Sequence, residues 1–132
     1  MMKKVCIINS GCEGHFTLFR QILESAENYE STRYPDEADV IIHFACGFSE
    51  KEMTEIFNYV VYYEKLKKPT AKLVFCGCAL TGYRKEMFEE FRIVDYVLLG
   101  MNILPKIAQI MGVSITDNQY YGNRLQRNDL CN

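Results

Sequence analysis

Short apolar runs alternate with longer segments of helical period along this chain, and that alternation leaves few folds open to it. Residues 4–9, 39–45, 72–75 and 95–99 are brief and rich in β-branched or aromatic side chains, as in strands covered on both faces. A weaker strand falls near residues 31–34. Between the strands, residues 15–28 set Phe16, Phe19, Ile22, Leu23 and Ala26 on one stripe. Residues 50–67 do the same with Met53, Ile56, Phe57, Val60 and Val61, behind a capping box of Ser49 and Glu52. Shorter helices are expected over residues 83–91 and 103–111, the last entered by Asn102 and closed by Gly112.

Strands joined through helices pair in parallel, and right-handed crossovers put helices on both faces of the sheet. The expected fold is α/β: a three-layer, doubly wound, five-stranded parallel sheet, flavodoxin- or Rossmann-like, with strand order 2-1-3-4-5. One domain is expected over residues 1–113, followed by an irregular tail, 114–132, rich in Asn, Gln and Tyr. At 132 residues and 48% hydrophobic content, the chain has enough apolar material for one core. With 15 basic and 17 acidic residues interspersed, it lacks the positive field that grips phosphates, so direct nucleic-acid binding is not expected. The opening segment has too short an apolar run for a secretion signal, and no stretch approaches a membrane span. The expected location is cytoplasmic, where thiols stay reduced.

That setting makes the six cysteines, at positions 6, 12, 46, 76, 78 and 131, the next question. Metal or redox chemistry explains them better than disulfides, but only Cys76 and Cys78 stand close, one residue apart, which is not a zinc-ribbon spacing. On the expected sheet, Cys12 follows strand one, Cys46 follows strand three and Cys78 follows strand four. Open α/β sheets bind ligands at their carboxyl edge, near the switch point between strands one and three. Neighbouring strands run about 4.8 Å apart, which brings three such thiols within roughly 10 Å of one another. Soft thiolates without carboxylate partners suit an iron-sulfur cluster rather than a hard cation. Three ligands to a cluster that ordinarily takes four leave one iron open. Gly11, Gly47 and Gly77 flank the thiols.

The stretches "KVCIINSGC", "PDEADVIIHFAC", "AKLVFCGCAL" and "VDYVLLGMN" together resemble the N-terminal domain of the radical SAM methylthiotransferases, over residues 4–102. That family inserts sulfur into tRNA bases or a ribosomal protein and then methylates it. The resemblance implies that Cys12, Cys46 and Cys78 bind an auxiliary 4Fe-4S cluster whose open iron presents the sulfur to be transferred. Two departures stand out: His15 where the family has asparagine after the first cysteine, and Phe44-Ala45 where it has asparagine-threonine. No CxxxCxxC motif follows in the chain, so SAM cleavage must come from a radical SAM partner protein or a further domain, and the chain alone is not competent for radical chemistry.

Other residues have plainer readings. Cys6 falls in mid-strand and reads as a small core residue. Cys76 reads as core, with a fourth-ligand or redox role beside Cys78 as the alternative. Cys131 stands in a tail that faintly resembles the approach to the family's radical SAM motif, and one cysteine cannot hold that cluster. His15 is a candidate hydrogen-bond donor to a cluster sulfur, whereas His43, inside an apolar strand, reads as a satisfied core or face residue. Tyr59, Tyr62 and Tyr63 read as packing or as a contact in a homodimer. The competing function is a metal-free flavodoxin-like nucleotide-binding or scaffold module. Against it, the first loop "NSGCEGH" lacks both GxGxxG and a run of hydroxyl side chains for phosphate.

Overall fold

The computed structural model describes residues 3–10, 28–45, 50–77, 91–99 and 103–111. Five strands, β1 (Lys3–Ser10), β2 (Tyr29–Ser31), β3 (Val40–Ala45), β4 (Lys72–Gly77) and β5 (Tyr96–Leu99), form one sheet in the order β2-β1-β3-β4-β5. Every pairing is parallel. This is the α/β, doubly wound order that the alternating pattern predicts. Two helices complete the described part, α1 (Glu50–Leu66) between β3 and β4, and α2 (Ile103–Met111) after β5. Pro105 lies in the first turn of α2, where its missing N–H has no intrahelical partner to lose. The helices expected over residues 15–28 and 83–91 lie outside the described residues apart from their last positions, as do the Ser49 cap, Gly112 and the tail.

Each face of the sheet has its own core, because successive strand side chains point to opposite sides. On one face Val5, Val40, Ile42, Phe44, Val74, Cys76 and Leu98 pack with Ile107 and Met111 of α2. On the other, Cys6, Ile41, Leu73 and Phe75 pack with Ile56, Val60 and Tyr63 of α1. Ile56, Val60 and Tyr63 stand at i, i+4 and i+7, the spacing of a single helical stripe. Val61, expected on that stripe, is 51% exposed. One residue is 100° of helix, so Val61 turns past the contact that Val60 makes, and Tyr63 continues the stripe instead.

Two aspartates fix the amino edge of the sheet. Asp39, just before β3, accepts the backbone N–H of Lys4 at 2.8 Å and the ammonium of Lys68 at 2.9 Å. Asp95, just before β5, accepts the backbone N–H of Leu73 at 2.8 Å. Each carboxylate satisfies an amide at the start of a neighbouring strand and so sets the register there.

The weak strand expected at residues 31–34 runs earlier, over Tyr29–Ser31. Tyr29 is buried, and its hydroxyl donates to the carbonyl of Met111 at the end of α2, which draws the strand toward its amino end. Pairing stops where Thr32 N–H donates to Val5 and its hydroxyl accepts the N–H of Tyr34. The chain then enters a 3-10 turn at Pro35–Glu37. β4 is longer than expected by two residues, since Cys76 pairs with Phe44 and Gly77 with Leu99.

Candidate functional site

The carboxyl edge is where the fold and the cysteine pattern meet. β1 ends at Ser10, which pairs with Ala45, the last residue of β3. β3 and β4 remain in register to Phe44 and Cys76, one residue short of Ala45 and Gly77. The ends of β1, β3 and β4 are therefore consecutive neighbours at one level of the sheet. In the sequence, Cys46 directly follows Ala45, Cys78 directly follows Gly77, and Cys12 comes two residues after Ser10. Cys12, Cys46 and Cys78, with His15 and Cys131, lie outside the described residues. Among the described residues no three His, Cys, Asp or Glu side chains stand close enough to hold a metal ion.

The two cysteines that are described belong to the core. Cys6 is buried under α1, and burial pushes its thiol up to about 11. Cys76 is fully buried on the opposite face, under α2, and its thiol is also pushed up by burial. Both are free thiols in apolar surroundings, where the thiolate that binds metal or attacks a disulfide is disfavoured.

His43 lies in the middle of the sheet, opposite Ile8 on β1 and Phe75 on β4. It is fully buried, and Nδ1 lies 2.5 Å from the hydroxyl of Tyr63 on α1. Desolvation holds the imidazole neutral, lowering its pKa from 6.5 to about 3. The satisfied core role expected for His43 is what the structure has. Its partner Tyr63 is buried in the core, the packing role that was one of the two readings of the helix tyrosines, and its place seven residues after Ile56 on the stripe accounts for it.

Among the described residues, no element covers the sheet face beside α1. Residues 32–39, between β2 and β3, are too few for a crossover helix, which needs a dozen or more residues. An open groove follows, lined by Ile8, Arg33, Pro35, Tyr59 and Tyr62.

Residues 4–99 match the uncharacterized protein family UPF0004. Relatives named tRNA-2-methylthio-N(6)-dimethylallyladenosine synthase share that region. The Campylobacter jejuni (strain 81-176) protein is 37% identical over 98 residues, 70% of this chain and 23% of that protein. The Campylobacter concisus protein is 34% identical over 106 residues, 78% of this chain and 24% of that one. The Sulfurovum protein is 31% identical over 113 residues, 83% of this chain and 26% of that one. This chain belongs to the methylthiotransferase N-terminal domain family.

The domain spans about a quarter of the length of the curated relatives it matches. Among solved structures, a pilus assembly protein CpaE from Caulobacter crescentus superposes with a TM-score of 0.56 at 8% identity, covering 83% of this chain and 97% of that one. At that identity the likeness concerns the α/β fold alone. Among the described residues, no helix is long and apolar enough to cross a membrane.

Proposed function

We propose that this methylthiotransferase-type domain binds a 4Fe-4S cluster through Cys12, Cys46 and Cys78 and works in methylthiolation together with a radical SAM protein or domain. The observation that carries this reading is the adjacency of the three strand ends that lead to those cysteines. A peptide step spans 3.8 Å, so Cys46 and Cys78 are each tethered within about 3.8 Å of the last residue of their strands, and Cys12 within about 7.6 Å of Ser10. With strands about 4.8 Å apart, those tethers allow one cluster to be shared by all three. The donor chemistry fits as well. Cys6 and Cys76 are taken up by the two cores, and of the four remaining cysteines Cys12, Cys46 and Cys78 follow strand ends while Cys131 stands in the tail, so the proposed set is three thiols with a fourth iron position left to an outside ligand.

When bound, such a cluster supplies an iron site at which sulfur is held for transfer. The domain's own part is to hold the three thiolates at a sheet edge and to keep its buried thiols out of the reaction. SAM cleavage falls to the partner. Methylthiolation of tRNA is the activity in the names of the relatives, and either tRNA or a protein would be recognised through the partner, since this domain's charge is near balance.

A metal-free nucleotide-binding or scaffold module is the competing reading. The reduced, reconstituted protein separates the two when a small thiolate is added. A changed EPR spectrum supports an iron open to exogenous ligand, and the absence of any cluster signal overturns the proposal.

A further inference from the structure

The core under α1 contains an arrangement that packing alone does not call for. Tyr63, fully buried, has its hydroxyl 2.5 Å from Nδ1 of His43. Around the pair, aromatic rings follow one another at short range. The His43 ring lies 5.0 Å from Phe75 and 4.5 Å from Tyr59, centroid to centroid. Tyr63 lies 6.0 Å from Tyr59, stacked, and 5.8 Å from Tyr62. Tyr62 is 44% exposed, and with Tyr59 it lines the open groove. At the other end, His43 and Phe75 each lie two residues, about 7 Å of strand, from the carboxyl ends of β3 and β4. The rings thus connect the neighbourhood of that edge with solvent.

A phenol surrendering one electron must also release its proton, because its oxidised form is a very strong acid. In an apolar interior this is prohibitive unless a base is already hydrogen-bonded to the hydroxyl. His43 is such a base in the tautomer whose proton sits on Nε2: burial keeps the imidazole neutral, and Nδ1 then accepts the Tyr63 hydroxyl across the 2.5 Å contact. The acidity of an oxidised phenol exceeds the resistance of a buried imidazole to protonation.

We propose that Tyr63 and His43 form a proton-coupled redox pair that draws an oxidising equivalent into the aromatic core and passes it to the surface through Tyr62. In the first step, an oxygen-centred radical accepts one electron from Tyr63 and takes a proton from solvent, becoming an alcohol or hydroperoxide. The Tyr63 O–H bond breaks, its proton moves to His43 Nδ1, and a neutral phenoxyl radical remains on Tyr63. In the second, Tyr62 gives an electron to Tyr63, His43 returns its proton to Tyr63, and the proton of Tyr62 goes to water. A soluble thiol then reduces Tyr62, closing the cycle as a thiyl radical. The role goes beyond methylthiolation and does not rest on a bound cluster.

The test uses the full chain without added iron and a photogenerated ruthenium(III) tris(bipyridine) oxidant, with EPR and transient absorption following the phenoxyl radical. The expected result is a phenoxyl signal with a slowly decaying component in the native chain that forms more slowly in D2O and is lost in Tyr63→Phe, where only short-lived radicals on exposed tyrosines remain. His43→Leu is expected to shorten its lifetime, and Tyr62→Phe, which removes the exit to solvent, to lengthen it. Should His43→Leu fail to fold, His43→Gln and the D2O comparison on the native chain test the same point. A native chain with no phenoxyl signal, a signal unchanged in Tyr63→Phe, or formation insensitive to both D2O and His43 substitution overturns the proposal.

Discussion

Asp39 accepts the backbone N–H of Lys4 at 2.8 Å, so the residue that precedes β3 fixes the second residue of β1. The same pair of residues makes the reciprocal contact, with the N–H of Asp39 donating to the carbonyl of Lys4 at 2.8 Å. Removing the carboxylate leaves a strand amide without its acceptor and frees Lys68. Asp39→Ala is expected to destabilise the fold by about 1–3 kcal/mol in denaturant titrations. The amide of Lys4, followed by the ammonium of Lys68, holds this carboxyl below the usual carboxylate range. A group depressed in the folded state stabilises above its unfolded pKa, so this contribution fades as pH falls through about 4.

His43 gives a second, separate pH window. Its folded pKa, about 3, lies below the unfolded value of 6.5, so between them the unfolded chain binds a proton that the folded chain refuses. Stability is therefore complete above pH 6.5 and lost as pH falls below it. The expected loss at pH 5.5 is roughly 1.4 kcal/mol from this residue. Urea titrations at pH 7.5 and 5.5 measure it, and His43→Leu should abolish that part of the pH dependence even if it lowers stability at both values.

On α1, Ile56 and Val61 are predicted to behave oppositely. Ile56 is 1% exposed, so Ile56→Ala opens a cavity under the helix and costs about 2–5 kcal/mol. Val61 faces solvent, and Val61→Ala should change stability by no more than about 0.5 kcal/mol. Equal costs would mean that the helix presents a different stripe to the sheet.

The buried thiols should be chemically quiet. In the native chain Cys6 and Cys76 are expected to resist alkylation by iodoacetamide until the protein unfolds, since burial disfavours both thiolates. Mass spectrometry of partly labelled protein identifies the positions. Cys76→Ala should cost stability, about 0.5–3 kcal/mol, and leave iron binding intact.

Much of the frame was legible because the sheet is covered on both faces. Runs such as that in β3 have to be apolar throughout, and β-branched residues concentrate there, so four strands and their order could be read directly. β2 was misplaced because only three residues pair and the β-forming residues Thr32 and Tyr34 follow them; Pro35 then turns the chain away. The stripe of α1 was read one position off at Val61 because apolar residues crowd that turn, and composition cannot tell which of two neighbours faces the sheet. The hydrogen bond between His43 and Tyr63 joins residues 20 apart and leaves no periodic trace. The amino-edge aspartates were visible within family-like stretches, but their role emerged only from the register of the adjacent strand.

Iron content tests the central claim most directly. After anaerobic reconstitution with iron and sulfide, the native chain is predicted to hold about four irons, with Cys12→Ala, Cys46→Ala and Cys78→Ala each losing the cluster and Cys76→Ala retaining it. A native chain that takes up no iron, or one whose iron survives all three substitutions, would contradict the account.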